Sequence, residues 1–214
     1  MKELVNALHA NFEKHENLRQ MLLNKTPKYG NDDDYADDIM RTVFEIYYCA
    51  VDGRPNTKGG YHRINLLPTT VHVYFGKVLG ATPDGRKAGE PVSEGVSPVQ
   101  GADRKGPTAV IKSAAKIDHL RTGGTLLNQK FAPELLQDEQ GIDKLGHLIR
   151  TYFKLDGHHI QFNVINAETL RDAQKHPEKY TDLLVRVAGY SDYFVDLSTE
   201  LQNEIIKRTE HKSF

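Results

Sequence analysis

The residues with the strongest claim to chemistry lie near the C-terminus, in Arg186-Val187-Ala188-Gly189-Tyr190-Ser191-Asp192-Tyr193-Phe194. Gly189 follows a β-rich run, Leu183 to Val187, and precedes a final helical pattern. Taken alone, a glycine at such a junction reads as a tight turn with φ above zero, which glycine adopts cheaply. Other candidates are weaker. Gly80-Ala81-Thr82-Pro83-Asp84-Gly85-Arg86-Lys87 is similar to a phosphate loop, but it lacks the Lys-Ser/Thr ending. His158 and His159 are adjacent, and in a strand they would point to opposite faces and could not readily share a metal. No His/Cys cluster has zinc spacing, so no metal is expected. No Ser-His-Asp arrangement can be read from residue order alone. Cys49, the sole cysteine, lies within a helical pattern and reads as a small buried hydrophobe.

The string around Gly189, with the helix after it, closely resembles the signature of glycyl radical enzymes. The likeness extends along the chain. Ala81 to Pro91 and Gly95-Val96-Ser97-Pro98-Val99-Gln100-Gly101-Ala102-Asp103 look like that family's conserved loops. Lys28-Tyr29-Gly30-Asn31-Asp32-Asp33 and Leu126-Leu127-Asn128-Gln129-Lys130-Phe131 are similar to further family segments, in the same order. The resemblance implies that a radical S-adenosylmethionine activating enzyme, carrying an iron–sulfur cluster, removes a hydrogen atom from the Gly189 Cα. The product is a protein-derived cofactor, and no bound cofactor is expected. Its unpaired electron is shared between the amide nitrogen and the carbonyl, which favours a planar Cα. A Cβ would oppose that planarity through its clashes with the backbone. The same resemblance makes Arg186, Val187, Ala188, Tyr190, Ser191 and Phe194 the activase-recognition and radical environment. Val187, Tyr190 and Phe194 would keep out water and oxygen. Thr69 and Thr70, after Pro68, resemble a segment that approaches the substrate pocket; by residue type they equally well open a strand.

In that family the glycyl radical generates a thiyl radical on a cysteine of a separate loop, with a glutamate two residues later. The context of Cys49 does not match it. The resemblance therefore implies a chain inactive alone: a truncated piece, one subunit of a split enzyme, or a spare-part carrier that repairs an oxygen-damaged enzyme. Its partners would be the activating enzyme and the missing cysteine-containing portion. Ser97-Pro98 and Arg186 to Tyr190 look more like the dehydratase and C–N lyase group than like pyruvate formate-lyase, whose formate acetyltransferase activity is the alternative. The implied reaction is anaerobic radical chemistry on a small polar metabolite.

The elements that would position these residues alternate between helix and strand, which gives an α/β fold class. Leu4, Leu8 and Phe12 share a helical face that Leu18, Met21 and Leu22 continue. Asp32 to Asp34 suit the start of a second helix, with Ala36, Ile39, Met40, Val43, Phe44, Tyr47, Ala50 and Val51 on its apolar stripe. Val71, Val73 and Phe75 alternate with polar residues as in a half-buried strand. Gly80 to Gly106 reads as a long ordered loop. Leu145 to Phe153 is an amphipathic helix, Ile160 to Val164 a strand, and Asn166 caps a short helix ending near His176-Pro177. Thr199 and Gln202 have capping-box spacing ahead of a helix that buries Leu201, Ile205 and Ile206. The resemblance implies the C-terminal part of a ten-stranded β/α barrel, with barrel elements over residues 1–78 and a glycine radical domain over residues 79–214, inserted toward the barrel centre.

The chain has 214 residues and a net charge of −1, so electrostatic attraction to nucleic acid or anionic lipid is not expected. No apolar run is long enough to span a bilayer, and Met1-Lys2-Glu3-Leu4 opens directly into a helical pattern rather than a secretory signal. With one cysteine, cytoplasm is the default compartment. The first two helices and residues 71–75 carry apolar faces whose barrel neighbours the chain does not contain. These faces should be exposed or buried in a homo-oligomer.

Overall fold

The computed structural model describes residues 1–67 and 69–214. Its helices are α1 (Lys2–His9), α2 (Glu16–Lys25), α3 (Asp34–Val51), α4 (Val71–Val78), α5 (Pro107–Ala114), α6 (Glu139–Lys154), α7 (Ala167–Lys175) and α8 (Thr199–Lys207). Its strands are β1 (Leu127–Phe131), β2 (Ile160–Val164), β3 (Leu184–Arg186), β4 (Ser191–Tyr193) and β5 (Glu210–His211).

The centre is a parallel sheet in the order β2-β1-β5. Leu127 pairs with Ile160 and Phe131 with Val164, while Phe131 also meets His211 of β5. Parallel strands need a long crossover, and α6 supplies it between β1 and β2. Asp138 starts α6 by accepting the Gly141 amide at 2.7 Å. The sheet's side chains alternate between its two faces, as the period of two requires. Within β1 and β2 only Gln129 breaks the separation of polar from apolar, donating to the Pro107 carbonyl at 3.2 Å from the apolar face. Leu127 and Phe131 join Phe44, Ile64, Val110, Ile111, Leu148 and Tyr152 in one apolar core. Asn128 and Lys130, from the opposite face of β1, are also buried. A second core gathers Leu170, Ala173, Val185, Val187, Phe194, Leu197, Leu201, Ile205 and Ile206 from α7, the β3–β4 hairpin and α8.

Several expectations hold locally. Asp33 caps α3 by accepting the Ala36 amide at 3.3 Å, and Asn166 caps α7 by accepting the Thr169 amide at 2.8 Å. The stretch between α4 and α5 contains no helix or strand and is nonetheless ordered. The guanidinium of buried Arg86 donates to the carbonyls of Gly80, Lys87 and Glu90, and the Lys28 ammonium donates to the Asp84 carbonyl. Arg86 from within the loop and Lys28 from outside it thus bond the loop's backbone carbonyls rather than forming a phosphate cradle. Gly95, at φ +54°, lets the loop meet β1's approach segment: a Cβ there would run into the Leu126 carbonyl oxygen, which accepts the Val96 amide at 2.9 Å.

Other expectations are corrected. The first helix is two helices. Asn11, Phe12 and Lys14 have φ of 49°, 63° and 62°, and the turn they make tucks Phe12 into the interior. Residues 71–75 are helical, not a strand. Val71, Tyr74, Phe75 and Val78 satisfy the i, i+3, i+4, i+7 spacing and form an exposed stripe on α4, while His72 and Gly76 are buried. Thr69 and Thr70 therefore precede a helix, with Thr70 at its N-cap; Pro68 lies outside the described residues. The α8 cap is Ser198, which accepts the Leu201 amide at 3.4 Å, one residue before Thr199. Gln202 instead donates to the Phe194 carbonyl at 2.8 Å. Cys49 is exposed, because α3 turns only Phe44 of its apolar stripe fully inward and leaves Ile39, Val43, Ile46 and Tyr47 exposed. Among the described residues no helix is long and apolar enough to cross a membrane.

Candidate active site

Strands β3 and β4 pair antiparallel, Leu184 with Tyr193 and Arg186 with Ser191. The four-residue turn Val187 to Tyr190 closes the hairpin, with the Val187 amide donating to the Tyr190 carbonyl at 2.9 Å. Gly189 is the third residue of that turn and has φ +85°. A glycine is favoured there because an L side chain strains the left-handed region. Space is not the constraint, since the nearest atom to an added Cβ would be Leu126 Cδ1 at 3.5 Å. Gly189 is exposed at the tip, whereas Val187, Ala188 and Phe194 are buried on either side of it. Tyr190 is 36% exposed and so does not seal the turn.

The hairpin is held through its backbone, by side chains that the sequence reading assigned no role. Asn163 grips Arg186 twice: its Nδ2 donates to the Arg186 carbonyl, and its Oδ1 accepts the Arg186 amide, both at 2.8 Å. Gln161 Oε1 accepts the Gly189 amide at 3.2 Å. The same oxygen accepts Arg186 Nε at 3.2 Å and Nη2 at 3.0 Å. Gln161 Nε2 donates to Asn128 Oδ1 and, at 3.5 Å, to the Val187 carbonyl. That carbonyl also accepts Asn128 Nδ2 at 3.4 Å and Arg208 Nη2 at 2.9 Å. Ser191 closes the outer side by accepting Arg186 Nη1 at 3.2 Å.

Behind this layer sit two buried carboxylates. Glu94 accepts from Ser97 Oγ at 2.5 Å and from Asn128 Nδ2. Burial pushes the Glu94 carboxyl up to about 7, against the pull of the Arg208 charge and of these two hydrogen bonds. Glu204 bonds to Arg208 at 2.8 Å and accepts Gln100 Nε2 at 2.9 Å, and His72 Nε2 stands 3.6 Å away. Burial alone would raise Glu204, but Arg208 and then His72 outweigh it and hold the carboxyl down at about 2. Lys130 donates to the Ile206 carbonyl at 2.9 Å, at the C-terminal end of α8, where a cation offsets the helix dipole. Burial brings its ammonium down to about 8.

The sequence reading thus located the turn but missed Gln161, Asn128, Asn163, Arg208, Glu94 and Glu204. A signal was present in β2, where Gln161 and Asn163 alternate with apolar residues. Both polar residues are the more deeply buried members, the reverse of the usual half-buried strand. Thr69 and Thr70 lie just ahead of α4, and none of the bonds that hold the hairpin involves their side chains. His119 and His158 rings lie 5.9 Å apart, with His119 bonded to Thr125 and the Ala114 carbonyl, each at 2.8 Å. Among the described residues no group of three or more acidic, His or Cys side chains could hold a metal ion.

Comparison with known proteins matches two adjacent family models. Residues 92–195 match the model described as "Glycine radical", and residues 1–76 the one described as "Pyruvate formate lyase-like". The chain is 59% identical over 210 residues to a trans-4-hydroxy-L-proline dehydratase of Clostridioides difficile, covering 98% of this chain and 27% of that protein. It is 46% identical to an isethionate sulfite-lyase of Bilophila wadsworthia, over 99% of this chain and 26% of that one. Among solved structures, the C. difficile hydroxyproline dehydratase with bound substrate superposes with a TM-score of 0.97 at 58% identity, over 99% of this chain and 27% of the other. A B12-independent glycerol dehydratase of Clostridium butyricum gives 0.94 at 47% identity, over 99% of this chain and 27% of that one. The chain spans about a quarter of the length of these relatives, and its mixed α/β fold is theirs over that span.

Proposed function

The chain belongs to the glycyl radical enzymes, as a segment matching their C-terminal portion, and on that basis we propose that Gly189 is the residue that carries the radical. The observation that carries this reading is the placement of an exposed glycine at φ +85° in a hairpin turn inside the matched span, clamped by bonds to its backbone. Activation breaks one Cα–H bond, and the hydrogen atom leaves with the oxidising radical that the S-adenosylmethionine-dependent activating enzyme supplies. The remaining electron is shared between the Gly189 nitrogen and carbonyl. Full turnover also needs a thiyl cysteine in a separate portion, since exposed Cys49 lies on α3 and does not share the Gly189 network. The relatives favour elimination from a small hydroxylated metabolite, with trans-4-hydroxy-L-proline the first substrate to try.

The test is anaerobic incubation of the chain with an activating enzyme and S-adenosylmethionine, read by electron paramagnetic resonance. A doublet from the single remaining Gly189 hydrogen is expected, and Gly189→Ala should abolish it. That variant has room for its Cβ and should lose only about 1–2 kcal/mol to the left-handed φ, so loss of signal would not reflect unfolding. A doublet that survives Gly189→Ala would sink the assignment. Air exposure of the activated chain should cleave the backbone at residue 189.

A further inference from the structure

We propose that Gln161 is the positioning residue of the Gly189 peptide, fixing by hydrogen bonds the orientation of the carbon that is to hold the radical. For its chemical consequence this inference rests on the reading of Gly189 given above; for its geometry it does not.

A glycine has no side chain through which packing could orient it, and Gly189 is exposed. The nearest atom to the position of a Cβ is 3.5 Å away, so shape alone does little to hold the turn. Its own N–H is held by Gln161 Oε1 at 3.2 Å. Gln161 is 5% exposed and is fixed in turn. Its oxygen faces the donors Gly189 N and Arg186 Nε and Nη2. Its amide nitrogen faces two acceptors, Asn128 Oδ1 and the Val187 carbonyl. A flipped amide would set N–H against N–H on one side and oxygen against oxygen on the other, so the network permits one orientation. Gln161 therefore joins the amide of Gly189 to the carbonyl two residues earlier. It bridges the two peptides on either side of Ala188, holding the Val187-Ala188 peptide by its carbonyl and the Ala188-Gly189 peptide by its N–H.

The chemistry follows. Delocalisation of an unpaired electron at Cα requires the flanking nitrogen and carbonyl to stay coplanar with it. At φ +85° the preceding peptide stands nearly perpendicular to that plane, so it must turn as the radical forms. Gln161 limits the range of that turn, and a peptide released from it samples more conformations, which alters the doublet and shortens the radical's life. The sequence carries the cue as an inverted strand pattern, with the amide residue buried and its apolar neighbours less so.

Two variants test this: Gln161→Met, which removes all these bonds at similar length, and Gln161→Glu at a pH where its carboxyl is protonated, which keeps an acceptor oxygen for Gly189 and Arg186 and an O–H donor toward Asn128 and Val187. In Gln161→Met the Gly189 amide should exchange with solvent about tenfold faster, as expected for the loss of one hydrogen bond, while the Leu127–Phe131 amides of β1 keep their protection. Gln161→Glu should retain slow exchange at Gly189. After activation, Gln161→Met should give a doublet with altered splitting or faster anaerobic decay, moved back toward the unsubstituted chain in Gln161→Glu. Unchanged Gly189 exchange in a folded Gln161→Met chain overturns the inference. So does faster exchange accompanied by an unaltered doublet and lifetime, because a merely structural role predicts that result. An absent doublet in the unsubstituted chain overturns the radical reading and the chemical half of this one, while the exchange comparison still decides whether Gln161 holds the peptide.

Discussion

The two faces of the β1–β2 pair are both covered, yet apart from buried Gln129 on the apolar side they are built from opposite materials. One face sends Leu127 and Phe131 into an apolar core with Phe44, Ile111 and Tyr152. The other sends Asn128, Lys130, Gln161 and Asn163 toward the hairpin and α8, where they meet backbone carbonyls and amides. Apolar contact is non-directional and is lost wholesale when water enters. Hydrogen bonds to backbone exchange for bonds to water at a net cost of only about 0.5–1.5 kcal/mol each. The apolar face therefore keeps the fold together, while the polar face orients the hairpin and can let it go. The second kind of surface suits the proposed role of Gly189, which calls for a turn that is accurately placed and can also be released to a separate activating enzyme.

Breaking the apolar face should give the largest effect. Phe131→Ala removes a fully buried ring that touches Phe162, His211 and Phe214, and it should cost about 3–5 kcal/mol. Urea unfolding followed by several probes should shift as one transition. Loss confined to the hairpin would contradict the division between the faces.

The polar face should show itself through pH. Glu94, which bonds Asn128, titrates at about 7 in the folded chain, above the ordinary glutamate value of about 4.3. Between those values the folded state keeps a proton that the unfolded state has released. Stability should therefore fall as pH rises through that window, by up to about 1.4 kcal/mol per pH unit, and level off above it. Glu204, held at about 2, acts with the opposite sign: its contribution is present above the unfolded value and is lost on acidification toward pH 2. Denaturation midpoints at pH 5 and pH 7.5 should differ in the native chain and converge in Glu94→Gln. Equal slopes in the two proteins would remove Glu94 from the account.

How far the sequence could be read follows the same division. Helices with capping signals, such as α3 after Asp33 and α7 after Asn166, were legible because the cap and the period of 3.6 are local. The family was legible because the string around Gly189 is distinctive and lies inside the matched span. Strand β1 is illegible as an element: Leu-Asn-Gln-Lys-Phe has every residue buried, and the hydrogen bonds its polar side chains make go to groups far along the chain. Residues 71–78 fit both a period of two and an i, i+3, i+4, i+7 stripe, and tertiary contacts of His72 and Gly76 decided for the helix. Cys49 was misplaced because an apolar stripe on α3 does not reveal which of its members find a neighbour within the chain. The polar clasp was invisible for a related reason. A buried glutamine means nothing until its acceptors are known, and those come from residues 128 and 187.

A smaller and more local effect is expected from Asn163→Ala. It strips two 2.8 Å bonds from the Arg186 backbone, for about 1–3 kcal/mol if those groups stay buried. Because water can replace the lost partners once the hairpin lifts, the measured cost should fall toward the lower end. Hydrogen exchange should quicken across residues 184–193 and leave β1 unchanged. Matching acceleration in both would show that the two faces unfold together.

The smallest change in stability, and the sharpest separation of roles, should come from the uncovered apolar residues of α3 and α4. Val43 and Ile46 are 60% and 65% exposed, and Tyr74 and Val78 are 62% and 65% exposed. Replacing Val43 and Ile46 by aspartate and glutamine touches no core, so the unfolding free energy should move by less than about 0.5 kcal/mol for each substitution. Association should respond strongly, because contiguous exposed apolar surface of this kind marks a contact site. Light scattering should show the native chain self-associating at micromolar concentration and the double variant monomeric. An unsubstituted chain that stays monomeric and binds no hydrophobic dye would mean that these side chains cover one another in solution. The contrast would then lie between the two faces of β1–β2 alone, with α3 an ordinary surface helix.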